Sequence, residues 1–255
     1  MDAIAATDLH PGDAHAPLGL RAAWHSVLPA CDGAPLPVQV LAFDGARFTP
    51  ELFAAWGIVS PQSVARSVRK RQAEYFFGRL AARRALAHAG LSAAQAQADI
   101  GIGAAREPRW PAGVIGSISH TRGLAAAVAL VPGPRRGVGI DLEQVVDEAA
   151  GAALLGTVVD AAELALVHSL AGAYTANALL TMVFSAKESL FKGAFAAVGR
   201  YFDFSAARLV ALDTDRGHLR LRLTEHLCPQ FAHGQECEIG VDLVGADTVI
   251  THFVW

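Results

Sequence analysis

The sequence predicts an α+β protein made of two similar halves, because helical patterns followed by a meander of strand-like runs occur twice along the chain. A second observation is the break at Pro132-Gly133-Pro134-Arg135-Arg136, which divides the chain into residues 1–135 and 136–255. The third is size: 255 residues, 53% hydrophobic and only 18% charged, can bury a core without disulfide or metal staples.

Residues 1–37 are rich in Ala, Pro, Gly and His without periodicity and read as an irregular arm leading into a short strand. Ser60-Pro61 opens a helix, since the fixed φ of proline suits the first turn, and Ala89-Gly90 closes it. One helix over 60–90 is therefore expected, with Val68, Tyr75, Phe76, Leu80 and Ala87 as its apolar stripe. Residues 114–119 and 124–131 predict a hairpin turning at His120-Thr121-Arg122-Gly123, and 138–142 a further strand that opens the second half. Helical periodicity returns at 160–171 and 174–198, and strand patterns follow at 208–212, 219–223, 238–244 and 249–254.

Composition excludes little by charge: a net charge of -3 neither demands nor forbids a nucleic-acid partner. Cys31, Cys228 and Cys237 are odd in number and show no CxxC or zinc-type spacing, which fits a reducing cytoplasm. The start of the chain lacks a basic stretch followed by an apolar run, so no secretory signal is expected. The longest apolar run, 124–131, falls well short of the ~20 residues needed to span a bilayer.

Asp141 and Glu143 stand two apart on a strand, so both carboxylates leave the same face. They can share one hard cation such as magnesium, or they can be ordinary acids at a solvated strand end. At helical spacing Glu188 falls in a stripe with Phe184, Phe191 and Phe195, where a charge needs neutralising. Either a metal or a salt bridge to Lys192, one turn away, would serve. Asp242 repeats the strand pattern of Asp141 but has Val244 in place of the second acid, and it reads as structural. The first helix carries Arg66, Arg69, Lys70, Arg71, Arg79, Arg83 and Arg84. It could be a solvated face, a wall for a phosphorylated ligand or a nucleic-acid surface. His120, after Ser117-Ile118-Ser119, sits at a sheet rim, either merely exposed or facing a cleft.

Taken together, Gly116-Ser117-Ile118-Ser119-His120, Gly139-Ile140-Asp141-Leu142-Glu143 and Phe184-Ser185-Ala186-Lys187-Glu188-Ser189-Leu190-Phe191-Lys192 resemble, in that order, the signature blocks of the 4'-phosphopantetheinyl transferases. The siderophore (enterobactin-type), broad-specificity subgroup is the most similar. It shares Arg69-Lys70-Arg71-Gln72-Ala73-Glu74 with Gly78-Arg79, Glu107-Pro108 with Trp110-Pro111, and the string Phe-Ser-Ala-Lys-Glu-Ser. The resemblance covers residues 60–204. It implies two halves related by a pseudo-two-fold axis, with the active site in the cleft between them, in a cytoplasmic monomer. It implies transfer of phosphopantetheine from coenzyme A to a serine of an apo acyl or peptidyl carrier protein, with Mg2+ as cofactor and neither nucleic acid nor membrane as partner.

Residue by residue, the resemblance implies that Asp141, Glu143 and Glu188 hold the metal. It places Lys187 and Lys192 on the pyrophosphate, Ser119 and His120 on a phosphate of the cofactor, and Arg71 and Arg79 on its 3'-phosphate. Glu188, Lys192 and Glu163 are the candidate catalytic groups, Glu163 standing where some members carry a proposed base. Arg106 joins the cofactor-binding set, but Arg106-Glu107-Pro108 replaces the Gly-Lys-Pro turn of many relatives, so their adenine contacts do not transfer. Phe184 replaces the family tryptophan, a swap the subgroup also shows. A magnesium-dependent phosphate-ester hydrolase and a coenzyme A-binding module without chemistry are the rival readings of the same acids and lysines.

Overall fold

The structure, a computed structural model, describes residues 17–255 apart from Gln97, Ala171 and Ala173. The described residues fall into two compact units, one of 17–28 and Pro35–Arg136, the other of Pro29–Ala34 and Gly137–Trp255.

The first unit begins with strands β1 (Leu20–Pro29) and β2 (Pro35–Phe43) and short helices α1 (Glu51–Ala55) and α2 (Gln62–Ala65). The long helix α3 (Arg69–His88), the short α4 (Ala93–Ala96), the two-residue strands β3 (Gly101–Ile102) and β4 (Pro108–Arg109), and the hairpin β5 (Ile115–Thr121) and β6 (Leu124–Leu130) follow. Its main sheet has the order β1-β2-β6-β5. Helix α3 lies across β6 and β2, and the small side chains of Ala125, Ala127 and Ala129 let Phe76, Phe77 and Leu80 pack closely on the sheet. Phe77 stacks on Phe43 with ring centroids 4.3 Å apart.

Two features differ from expectation here. The irregular arm expected over 1–37 lies outside the described residues as far as 16, and most of the remainder forms β1 and the start of β2. Alternation exists in β1, yet Ser26 points in with Trp24 and Leu28, while Val27 is 56% exposed. An apolar-in, polar-out pattern is thus inverted at two positions. The single helix over 60–90 is broken into α2 and α3 at Ser67-Val68, where Val68 adopts extended backbone. The Ser67 hydroxyl donates to the Val64 carbonyl and the Gln72 amide to those of Ala65 and Ser67, so side chains satisfy the free carbonyls of the break. Val68 is consequently 73% exposed and Ala87 is exposed too, whereas Tyr75, Phe76 and Leu80 are buried as expected.

The second unit holds β7 (Val138–Gln144), α5 (Glu148–Leu154), α6 (Ala161–Ser169), α7 (Ala176–Val198), β8 (Ala207–Asp213), β9 (His218–Leu223), β10 (Glu236–Leu243) and β11 (Thr248–Val254). Its antiparallel sheet runs β7-β11-β10-β9-β8. Side chains cap the helix starts: Asp147 for α5, an Asp160-Glu163 capping box for α6 and Thr175 for α7. Helix α5, Ala- and Gly-rich, escaped the sequence reading because no apolar stripe marks it. No helix among the described residues is long and apolar enough to cross a membrane.

The three cysteines are free. Burial pushes the Cys237 thiol up to about 12, and burial with the neighbouring charges of Glu238 and Asp32 pushes Cys31 up to about 11. Iodoacetamide near neutral pH should therefore leave Cys237 unmodified in the folded chain and label it on denaturation, as peptide mass mapping would show; rapid native labelling would refute that burial.

Candidate functional site

In the first unit a cavity of about 410 Å³ is walled by α3, β5 and the β3–β4 turn, with Arg71, Glu74, Tyr75, Arg79, Arg106 and His120 in its lining. Arg71 Nη1 stands 2.9 Å from His120 Nε2. A guanidinium can only donate, so Nε2 accepts and Nδ1 carries the ring proton, which faces Glu74 at 3.9 Å. The result is a Glu74–His120–Arg71 row, neutral in sum, whose Arg71 end brings positive charge to the cavity lining.

Arg79 also lines the cavity but is largely committed to the fold. Its guanidinium donates to the carbonyls of Ile100 and Gly101 and lies 4.5 Å over the Tyr75 ring. Burial holds its pKa below the usual arginine value, with Tyr75 opposing. Arg106 reaches the wall from a left-handed backbone, φ 68°, a conformation that is strained for a residue with a Cβ and clusters at ligand sites. Glu107 clasps that turn, its carboxylate accepting from Ala105 N–H and its carbonyl from Gly103 N–H.

Ser119 departs from the sequence expectation. Successive residues of β5 face opposite ways, so Ile118 and His120 behave differently from Ser117 and Ser119. His120 lines the cavity, and Ser119 is buried outside its lining.

The acids of the second unit depend on the close approach of α7 to β7. A Cβ on Gly139 would meet Ser189 O at 2.0 Å, and one on Gly193 would meet Phe253 Cδ1 at 2.8 Å and Gly139 N at 3.0 Å. Backbone therefore touches backbone, which only glycine permits. Gly139→Ala should push α7 off the strand and cost about 3 kcal/mol by overpacking, measured by urea denaturation; unchanged stability would refute the contact.

Across this seam the Lys192 ammonium lies 2.6 Å from Asp141 Oδ1. Glu143 and Glu188 share the same field. Burial, then the charge of Asp141, pushes the Glu143 carboxyl up to about 7, with Lys192 opposing. Burial likewise raises Glu188, Lys192 opposes, and Asp141 adds to the rise. Three carboxylates against one lysine leave excess negative charge in a half-buried place, and carboxylate oxygens are the donors a hard divalent cation takes. Among the described residues, however, no group of three His, Cys, Asp or Glu side chains is placed to hold a metal ion. Asp141 is paired with Lys192 instead.

The phenylalanine stripe also needs correction. Phe184, Glu188, Phe191 and Phe195 do share a face, but that face is half-buried, and the core side of α7 is Leu179, Met182, Val183, Ala186, Leu190 and Ala194. Glu188 therefore borders a cavity rather than the core. That cavity, about 400 Å³, has Leu190, Phe191, Tyr201, Phe202 and Phe204 in its wall, with Lys187, Glu188 and Asp203.

Lys187 and Glu163 are placed otherwise than expected. They form a buried ion pair, 2.7 Å long and 2–3% exposed. Lys187 also donates to the Val158 carbonyl, and Glu163 accepts from the backbone N–H groups of Asp160 and Leu209. A carboxylate holding three donors is poorly placed to take a serine proton, and a lysine so engaged is poorly placed to hold a pyrophosphate.

The comparisons fall on the same two places. Residues 60–130 match the family model for the 4'-phosphopantetheinyl transferase N-terminal domain, and residues 137–250 match that of the 4'-phosphopantetheinyl transferase superfamily. The chain belongs to the 4'-phosphopantetheinyl transferase superfamily. It is 36% identical over 164 residues to the enterobactin synthase component D of Salmonella typhi, covering 64% of this chain and 62% of that one. With component D of Escherichia coli K12 it shares 38% identity over 124 residues, 49% of this chain and 55% of the relative. With the 4'-phosphopantetheinyl transferase Svp of Streptomyces mobaraensis it shares 34% over 160 residues, 63% of this chain and 62% of Svp. The matched stretches thus span less than two thirds of these relatives.

Within this transferase-superfamily chain the arginine and histidine cavity lies inside the N-terminal match and the acid cluster inside the second. Sequence reasoning missed the aromatic wall at Tyr201-Phe202-Asp203-Phe204. The available signal was an aromatic run two residues after the glycine that ends α7, outside any periodic element.

Proposed function

We propose that this chain is a magnesium-dependent 4'-phosphopantetheinyl transferase acting on apo acyl or peptidyl carrier proteins, with coenzyme A as donor and 3',5'-ADP as the second product. The acid–lysine cluster carries this reading: Lys192 on Asp141, with Glu143 and Glu188 in their field, leaves an excess of carboxylate charge suited to a divalent cation that would bring phosphate oxygens with it. The pseudo-two-fold relation of the halves, a cleft they share and a cytoplasmic, monomeric state belong to the same proposal.

Arg71, Arg106 and His120 bind the 3'-phosphate end in the first cavity through charge-assisted hydrogen bonds. The aromatic cavity beside Glu188 accepts the apolar part of the pantetheine arm. Although no three such side chains are placed around a metal among the described residues, Asp141, Glu143 and Glu188 are the carboxylates that would have to converge to hold the magnesium, which would neutralise phosphate oxygens there. The carrier serine oxygen attacks the β-phosphorus in line, the bond to the bridging oxygen breaks, and its electron pair leaves with 3',5'-ADP. Lys192 balances charge on the leaving side, and Glu188 takes the serine proton directly or through water.

The deciding experiment incubates the chain with coenzyme A, magnesium chloride and an apo carrier protein and weighs the carrier. A gain of one phosphopantetheine is expected, and stripping the metal should abolish it; an unmodified carrier, or equal transfer without metal, would overturn the proposal. Arg71→Ala should raise KM for coenzyme A about tenfold with little change in kcat, because it removes a charged ground-state contact. An unchanged KM would remove Arg71 from the phosphate site.

A further inference from the structure

Three hydroxyls, all fully buried, lie between α7 and β11: Ser185, Ser189 and Thr251. Ser185 Oγ is 2.9 Å from Thr251 Oγ1, Ser189 Oγ is 2.7 Å from the same atom, and Ser189 Oγ is 3.0 Å from the Thr251 carbonyl oxygen. Each hydroxyl has one proton, and a carbonyl only accepts. One assignment satisfies all three contacts: Ser185 donates to Thr251 Oγ1, Thr251 donates to Ser189 Oγ, and Ser189 donates to the Thr251 carbonyl.

This chain of bonds has a direction and a fixed origin on β11, unlike the apolar contacts around it, which tolerate sliding. Its place matters. Thr251 is the register partner of Asp141 on the neighbouring β7, while Ser185 and Ser189 bracket the turn of α7 that carries Glu188, with Lys192 on the next. We infer that Thr251 is a positioning residue: through Ser185 and Ser189 it fixes the axial setting of α7, and so holds Glu188 and Lys192 against Asp141. Its catalytic meaning rests on the transferase reading above, while its geometric content does not.

In the whole chain, Thr251→Val keeps the shape but removes the hydroxyl. It should lower kcat for transfer from coenzyme A to an apo carrier roughly tenfold to a hundredfold, as small misplacements of reacting groups do. KM for coenzyme A should stay near the wild-type value, and Thr251→Ser should restore most of the rate. A second readout needs no transfer activity: a double-mutant cycle of Asp141→Asn with Lys192→Met, followed by denaturation. The coupling between these two should fall to about half or less in the Thr251→Val background and persist with Thr251→Ser. Undiminished coupling in Thr251→Val, or a serine variant as impaired as the valine one, would overturn the inference. If the wild-type chain modifies no carrier, the function proposal fails and the coupling cycle alone decides the role of Thr251. Should Thr251→Val not fold, Ser189→Ala, which removes the final donor, supports the same comparison.

Discussion

Glu188→Ala and Asp141→Ala should each lower carrier modification by about a thousandfold or more, the loss expected when several kcal/mol of charge stabilisation at the reacting phosphate disappears. The two variants should part company in stability. Glu188 is a carboxylate raised chiefly by burial, with Lys192 opposing and Asp141 adding least, so its removal relieves a desolvation cost, and thermal unfolding should be unchanged or later. Asp141 is buried and paired with Lys192. Its removal takes one partner from an ammonium that is 26% exposed, and a loss of about 1 kcal/mol is expected. Activity lost without stability lost is the signature of a group kept for chemistry. Undiminished turnover in either variant, with circular dichroism showing a folded chain, would end its assignment to the site.

The acids were legible because strand geometry is short-ranged: a spacing of two puts Asp141 and Glu143 on one face whatever the rest of the chain does. The site was less legible where its logic is tertiary. Aromatic residues on α7 pointed to the wrong face as core, because the true core face is small and polar enough, through Ala186, Ser185 and Ser189, to let the helix touch β7 and β11. In the first unit, β1 hides its alternation behind Ser26 in and Val27 out, a pattern that only the neighbouring strands explain. The break between α2 and α3 depends on Gln72 reaching back to two carbonyls, a bond that no propensity scale anticipates. The basic helix left three readings open from sequence. The cavity separates its members: Arg71 faces it, Arg79 is shared between it and the backbone, and Arg83 turns away to Asp99 and the Trp56 carbonyl.

Lys187 is the clearest case of a residue whose role depends on a distant partner, and the second large effect follows from it. The family resemblance sets it on the pyrophosphate, yet it is buried against Glu163. Burial holds its ammonium pKa below the usual lysine value, with Glu163 opposing that shift. Removing one partner strands the other, and breaking such a pair typically costs about 3–5 kcal/mol. Glu163→Ala should be the worse of the two. It leaves the ammonium without its counter-charge, strips the Leu209 N–H at the sheet edge of its acceptor and undoes the capping box of α6. Lys187→Met leaves a carboxylate that still accepts two backbone N–H bonds and should cost less. Glu163→Leu combined with Lys187→Met should recover part of the loss, since an apolar pair of similar volume needs no charge compensation. Urea denaturation of the four chains measures these stabilities, and transfer assays on the folded fraction measure the chemistry. A bolt between α6, α7 and β8 predicts large stability losses with near-normal turnover per folded molecule. A general base predicts the reverse, so a Glu163→Ala chain of wild-type stability and vanishing turnover would return Glu163 to the reaction.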